Sequence, residues 1–203
     1  MSETLPMRIG RVGRCFLCRI PIFALRAIYR FDSWHVRWPY RCARYQARAV
    51  ELASAQRPKV VVEIGCGLGE ILARVRADHR YGLDRSPEVL RAARFLHGSR
   101  VRFETGALQD ADRIAEIVGQ PIDLLIMTNW PHEFAMSELI RSLDAIRRRV
   151  PIKAVLIDSL RPGWPDYRYL HGLDDLRQLG RVEVTIDGMD GLRDLNIVRL
   201  SSG

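Results

Sequence analysis

An α/β fold built on a mainly parallel sheet is the architecture this sequence predicts, and three observations predict it. Past Pro58, short apolar runs alternate with amphipathic stretches, the pattern of strands joined by crossover helices that cover both faces of a sheet. Residues 60–64 and 124–127 are almost wholly apolar, as strands buried on both sides must be. The last two strand candidates are separated only by residues 187–194, rich in glycine and aspartate. That is too short for a helical crossover, so they should pair antiparallel at the sheet edge.

Taken in order, strands are expected at 59–64, 81–83, 101–103, 122–127, 153–157, 182–186 and 195–200. Helices are expected at about 69–77, 87–97, 110–118, 133–149 and 172–179, with Ser86 as a cap and Pro87 in a first turn that accepts proline. Ahead of the domain at 59–203, residues 1–58 read as a basic N-terminal helical arm with capping helices, helical again from about Tyr40. Pro21 predicts a break in any single straight helix through the arm.

The chain has 203 residues, 47% hydrophobic and 28% charged, ordinary for one soluble globular domain. Its charge is lopsided. Residues 1–58 hold 11 Lys+Arg against 3 Asp+Glu, a net of +8, whereas residues 59–203 hold 21 of each and are neutral. Between residues 8 and 30 arginines interleave with Phe16, Leu17, Ile20, Ile22, Phe23, Leu25 and Ile28. No run there reaches the roughly 18 uncharged apolar residues of a membrane span. Arg19 and Arg26 interrupt the apolar stretch and no small-residue cleavage site follows, against a signal peptide. The arm can therefore lie on an anionic membrane surface, grip nucleic-acid phosphates, or pack over its own domain. Four cysteines, Cys15, Cys18, Cys42 and Cys66, form neither a disulfide framework nor a zinc site, because a lone C-x-x-C lacks a second pair. No metal is expected, and a reducing, cytoplasmic location fits, with peripheral membrane contact through residues 8–30.

The chemistry is concentrated at one turn. Gly65, Gly67 and Gly69 follow the first strand as G-x-G-x-G, and fifteen residues after Gly69 a second short strand ends in Asp84. Bare backbone at a strand–helix turn followed by a carboxylate for a ribose is how a βαβ unit holds an adenosine-containing ligand. The dinucleotide fingerprint G-x-G-x-x-G would need glycine where Glu70 stands. Glu63 and Glu70 flank the turn and disfavour phosphate, which prefers a helix N-terminus free of carboxylates. They suit a cationic, phosphate-free ligand such as S-adenosyl-L-methionine, with its sulfonium and ammonium groups.

Glu63-Ile64-Gly65-Cys66-Gly67-Leu68-Gly69, Gly82-Leu83-Asp84-Arg85-Ser86, Thr105-Gly106-Ala107-Leu108 and Asp123 through Asn129 resemble the motifs of the class I S-adenosylmethionine-dependent methyltransferases. The resemblance spans 59–200 and implies a Rossmann-like seven-stranded sheet, helices on both faces, and an antiparallel C-terminal hairpin. It also implies a loop at Gly65, Cys66, Gly67 and Gly69 against the methionine part of the cofactor, with Glu63 supporting the turn or the amino group. Asp84 would take the ribose hydroxyls, Arg85 would flank the adenine, and the backbone near Asn129 would receive the ammonium. Many family members bind the adenine amino group with an acidic residue where Ala107 stands here, so that contact passes to the Leu108 backbone or to Gln109. Cys66 reads as a small filler.

The acceptor side is less distinctive. Asn129-Trp130-Pro131-His132-Glu133-Phe134 lacks the Asn/Asp-Pro-Pro-Tyr/Phe of nucleobase amino-methylating enzymes, and no Pro-Cys or Thr-Cys nucleophile occurs. His132 is the candidate general base, with Glu133 orienting it or opening the next helix, and His171 is a second candidate. The aromatic cluster Phe31-Asp32-Ser33-Trp34-His35 stands where N-terminal segments of such enzymes close over the cofactor. The expected function is methyl transfer to a small-molecule, sugar or lipid-linked acceptor. The alternatives are an RNA methyltransferase gripping phosphates with its arm and a cofactor-binding accessory subunit without activity.

Overall fold

The computed structural model describes residues 20–36, 40, 43–162, 167–189 and 191–200. At its centre is β1 (Val60–Ile64), buried at every position. It pairs in parallel with β2 (His79–Asp84) on one side and β4 (Ile122–Met127) on the other. β3 (Arg102–Thr105) extends the sheet beyond β2, and β5 (Ile152–Leu160) extends it beyond β4, both in parallel. β7 (Arg193–Leu200) then runs antiparallel between β5 and β6 (Gly180–Asp187). Among the described residues these seven strands form one sheet in the order 3-2-1-4-5-7-6. The expected antiparallel pair is present, with its later strand lying inside the sheet. β6 takes the edge, and its residues alternate between exposed and half-buried, as an edge strand with one wet face must.

Each face of the sheet carries its own core. The described part of α1 (residues 20–29), α2 (Arg44–Ala55) and α3 (Pro87–His97) cover one face, where Ile22, Leu25, Leu52 and Leu90 meet Val61, Leu124 and Ile126. α4 (Ala111–Val118), α5 (Met136–Arg147) and α6 (Leu173–Leu176) cover the other, where Ile114, Leu139 and Leu176 meet Val62, Leu125 and Met127. Leu124, Leu125, Ile126 and Met127 are all fully buried, and each contributes about 1.5–3 kcal/mol through removal of apolar surface from water. The strand order reverses between β1 and β4, and a crevice opens there at the strands' carboxyl ends.

Local signals explain the helix boundaries. Ser86 caps α3 by accepting the Val89 N–H at 3.2 Å, with Pro87 in the first turn. α4 stops at Gly119, whose φ of 62° is left-handed. Three expectations need correction. The helix at 69–77 is only a 3₁₀ turn at Leu72–Arg74, because Val75 leaves it extended to bury its side chain. The amides of Asp78 and His79 then both donate to the Lys59 carbonyl, and β2 begins early, at His79. The helix at 133–149 shortens to Met136–Arg147, since Pro131–Glu133 form a separate 3₁₀ turn and Ala135 is extended. The helix at 172–179 shortens to Leu173–Leu176. β5 also runs three residues past its expected end, to Leu160, and that extension carries Asp158 into the interior. Cys15, Cys18, Cys42 and residues 8–19 of the basic arm lie outside the described residues.

Candidate active site

β1 delivers the chain into the glycine turn. Gly65, Gly67 and Gly69 have φ of 68°, 51° and 73°, all left-handed and favourable only for glycine. Gly65 is doubly constrained, because a Cβ there would stand 2.5 Å from the Trp130 ring. Asp84 at the end of β2 fastens the turn: one carboxylate oxygen accepts the Gly67 N–H at 2.9 Å and the other the Ser86 N–H at 3.0 Å. A carboxylate offers about four acceptor positions, so two remain for ligand hydroxyls.

Two clefts flank this turn. The larger, about 320 Å³, is lined by Gly65, Asp84, Arg85, Ala107, Leu108 and Glu133, among others. The smaller, about 120 Å³, is lined by Glu63, Gly65, Cys66, Gly67, Thr128 and Asn129, among others. Gly65, His35 and Trp130 border both, so the clefts adjoin as two ends of one groove. Trp130 is held there by its Nε1–H, which donates to the Ile64 carbonyl at 2.7 Å. Asp32 and His35, from the segment ahead of α2, also line the larger cleft.

The groove is arranged against anions at its smaller end, where no described lysine or arginine forms part of the lining. Glu63 is buried there, accepts the Leu72 N–H at 3.1 Å, and has its carboxyl pushed up to about 8 by burial and by the nearby Asp84 and Glu70. Burial raises the Cys66 thiol well above its usual range, so it stays protonated and unreactive. Burial also lowers the His35 pKa against the opposing pull of Asp84 and Asp32. At the larger end the Ala107 N–H is already taken by Asp110 at 2.8 Å, and Arg85 donates to Gln109 at 3.1 Å. Gln109 is thus tied to the rim, and Leu108 keeps its place in the lining. Gly69 lines neither cleft; its Cα faces the Phe103 ring instead.

Behind Asn129 lies a buried polar network that the motifs did not announce. Asn129 has a left-handed φ of 78°, and its N–H donates to Asp158 at 2.9 Å. Arg193 donates to the second Asp158 oxygen at 2.8 Å and to the Asn129 side-chain oxygen at 3.2 Å, and the Tyr167 hydroxyl reaches that same oxygen at 2.6 Å. The Arg193 guanidinium also lies over the Tyr45 ring, 4.2 Å from its centroid. Burial would raise the Asp158 carboxyl, but His132, Arg193 and the Asn129 amide outweigh it and hold it below the usual range. The signal that could have exposed this network was a lone aspartate inside the apolar run of β5.

The candidate bases fall in this interior. His132 is fully buried, its Nε2 3.4 Å from Asp158. That separation suits an ion pair, but the alignment gives neither ring nitrogen a hydrogen-bonding partner among the described residues. His171 lies 5.3 Å from it, ring to ring, with its own Nε2 2.9 Å from the Phe134 carbonyl. The structure thus brings His132 and His171 together, but neither lines either cleft, and Glu133 turns to the larger cleft instead.

No family model matches the chain, and no curated protein matches it in sequence. Solved structures do match. N-methyltransferase NodS from Bradyrhizobium japonicum WM9, in complex with S-adenosyl-L-homocysteine, is 13% identical with a TM-score of 0.65, covering 88% of this chain and 97% of that one. Magnesium protoporphyrin IX methyltransferase (ChlM) from Synechocystis PCC 6803, with bound SAM, is 14% identical with a TM-score of 0.57, covering 93% and 96%. An O-methyltransferase family protein from Burkholderia thailandensis is 20% identical with a TM-score of 0.57, covering 78% of this chain. The chain spans 55% of that protein's length and 56% of a further match, TnmH. With its 3-2-1-4-5-7-6 sheet, the chain has the fold shared by these methyltransferases.

Proposed function

We propose that this chain is an S-adenosylmethionine-dependent methyltransferase acting on a small-molecule, sugar or lipid-linked acceptor. One observation carries the reading: a glycine turn flanked by the carboxylates of Glu63 and Asp84, at a groove end that no described lysine or arginine lines. Such a site rejects phosphate and favours an adenosine ligand carrying positive charge. Of the matched structures, the NodS and ChlM complexes hold this cofactor or its demethylated product.

Asp84 takes the ribose hydroxyls with its two remaining acceptor positions, between Ala107 and Leu108 on one side and the turn on the other. Glu63 and the Asn129 carbonyl take the ammonium. The network of Arg193, Asp158 and Tyr167 holds Asn129 in its left-handed conformation, and His132 and His171 act as positioning residues packed beside it. The bound cofactor supplies an electrophilic methyl on sulfur. The acceptor's new bond to that carbon forms as the carbon–sulfur bond breaks, leaving the electron pair on sulfur, so alignment carries most of the rate. Where the acceptor must lose a proton, His35 is placed to take it. It borders both clefts, and burial disfavours the protonated form of its imidazole. Glu133 borders the acceptor's approach.

The test is transfer of a labelled methyl group from the cofactor to fractionated small-molecule, lipid and RNA extracts. Label in the first two supports the reading. Label in RNA alone would establish the nucleic-acid alternative. Calorimetric binding of the demethylated cofactor with no transfer to any fraction would make the chain an accessory subunit.

A further inference from the structure

A helix on a protein surface normally turns polar residues outward, but α1 carries large apolar residues on both sides. Ile22 and Leu25 face the core, and Tyr29 packs behind them. Successive residues of an α-helix turn by about 100°, which sets Ile20, Phe23, Ala24, Ala27 and Ile28 on the opposite side. That side faces outward: Ile20 is 50% exposed, Phe23 48% and Ile28 70%. The Tyr29 ring, 6.1 Å from Phe95, joins the end of α1 to α3, which adds Phe95, 70% exposed, and Leu96, 41%. Five large apolar side chains are therefore exposed on two neighbouring helices. Exposed arginines accompany them: Arg26 and Arg30 on and after α1, and Arg91, Arg94 and Arg100 on and after α3.

This combination selects its partner. RNA would be met by arginines without the apolar face, and a protein partner would not call for the concentration of positive charge. All of the chain's net charge of +8 lies within residues 1–58, the segment that contains α1. Apolar side chains entering the acyl boundary while flanking arginines meet anionic headgroups is the arrangement of an interfacial helix. No helix among the described residues is long and apolar enough to cross a membrane, so α1 would lie along the surface. Its inner side reaches the active site, since Ile22 lines the smaller cleft.

We propose that α1, with Phe95 and Leu96, docks the protein onto an anionic phospholipid surface, and that the groove beneath it takes an amphiphilic acceptor from that surface. The second half rests on the methyltransferase reading; the first stands without it. The test is sedimentation of the full chain with vesicles of phosphatidylcholine, with and without phosphatidylglycerol, at low and high salt. It compares the wild type with a variant carrying Ile20→Ser, Phe23→Ser and Ile28→Ser together. These side chains are exposed, so the variant keeps its fold, checked by circular dichroism and by calorimetric binding of the demethylated cofactor.

Wild type should bind the anionic vesicles, weaken with salt, and lose roughly tenfold or more in affinity in the triple variant with cofactor affinity unchanged. The proposal is overturned if wild type stays in the supernatant, or if the variant binds vesicles equally well. It is also overturned if the face proves to be a self-association surface, with the wild type dimeric, the variant monomeric and neither bound to vesicles. Binding to single-stranded RNA that persists in the variant, without vesicle binding, overturns it in favour of nucleic acid. A wild type that binds the demethylated cofactor but not the vesicles refutes the docking alone. Loss of cofactor binding by the wild type refutes the methyltransferase reading alone.

Discussion

Replacing Glu63 by glutamine removes a titrating proton from the floor of the groove while keeping an oxygen to accept the Leu72 N–H. Burial holds the Glu63 carboxyl near 8 instead of its ordinary 4.5. A carboxyl raised in the folded state contributes stability that is complete below the unfolded value and is lost as pH rises toward the folded one. At pH 7 the folded protein therefore bears a penalty of about 3 kcal/mol that a neutral amide escapes. Glu63→Gln should raise the Tm of the ligand-free protein by roughly 6–12 °C at pH 7, with little change near pH 4.5. Ligand binding carries the opposite sign. An ammonium placed against Glu63 ionises it, so binding at pH 7 should release about 0.9 proton in the wild type and almost none in the variant. Titration calorimetry with the demethylated cofactor, in buffers of different ionisation enthalpy, reads that number directly. Equal proton release in both proteins refutes the ammonium contact. Superimposable melting curves between about pH 5 and pH 9 refute the buried carboxyl.

Asp84→Ala should weaken cofactor binding about a hundredfold through the lost ribose contacts, and should also destabilise the protein by about 1–3 kcal/mol, measured by urea unfolding, because the buried Gly67 amide and the half-buried Ser86 amide lose their acceptor. Gly65→Ala should cost about 2–4 kcal/mol, part from its left-handed φ and part from the Trp130 ring. Adding Trp130→Ala should relieve only the second part, so the double variant loses less than the sum of the two single losses in a double-mutant cycle. Arg193→Met should cost about 3–5 kcal/mol by leaving the Asp158 carboxylate buried without its cation. Because that carboxyl is lowered in the folded state, the loss should be largest above its unfolded value and shrink as acid protonates it, which urea melts across pH will follow. His35→Ala should lower kcat about 10²- to 10⁴-fold for an acceptor that must lose a proton, while leaving cofactor affinity nearly unchanged.

What could be read in advance was whatever depended on neighbours in the chain. β1, β4, the glycine turn and Asp84 follow from runs of apolar residues and from short-range spacing, and Ser86-Pro87 marks the start of α3 for purely local reasons. The helix expected at 69–77 failed for a non-local one. Its amphipathic pattern is real, but Val75 is drawn into the core and the Lys59 carbonyl captures two amides beyond it. His132 looked like a base because it follows β4 in sequence. The turn at Pro131–Glu133 rotates it into the interior instead, where Asp158 from β5 and Tyr167 meet it. His35 escaped notice as a single residue, since only the folding of the segment before the domain brings it to Gly65 and Trp130.

β7 has a consequence that concerns time more than shape. It is the last of the seven strands to leave a ribosome, yet its place is between two strands made before it. Until it inserts, the β5 edge is unpaired and Asp158 has no guanidinium beside it. The contact from Arg193 to Asn129 crosses 64 residues of sequence, a separation that delays closure while the chain searches. The glycine turn is complete early in synthesis, but the wall opposite it is finished last. The nascent chain would thus carry a recognisable cofactor motif well before it could hold the cofactor, and tight binding would mark the molecules whose sheet has closed.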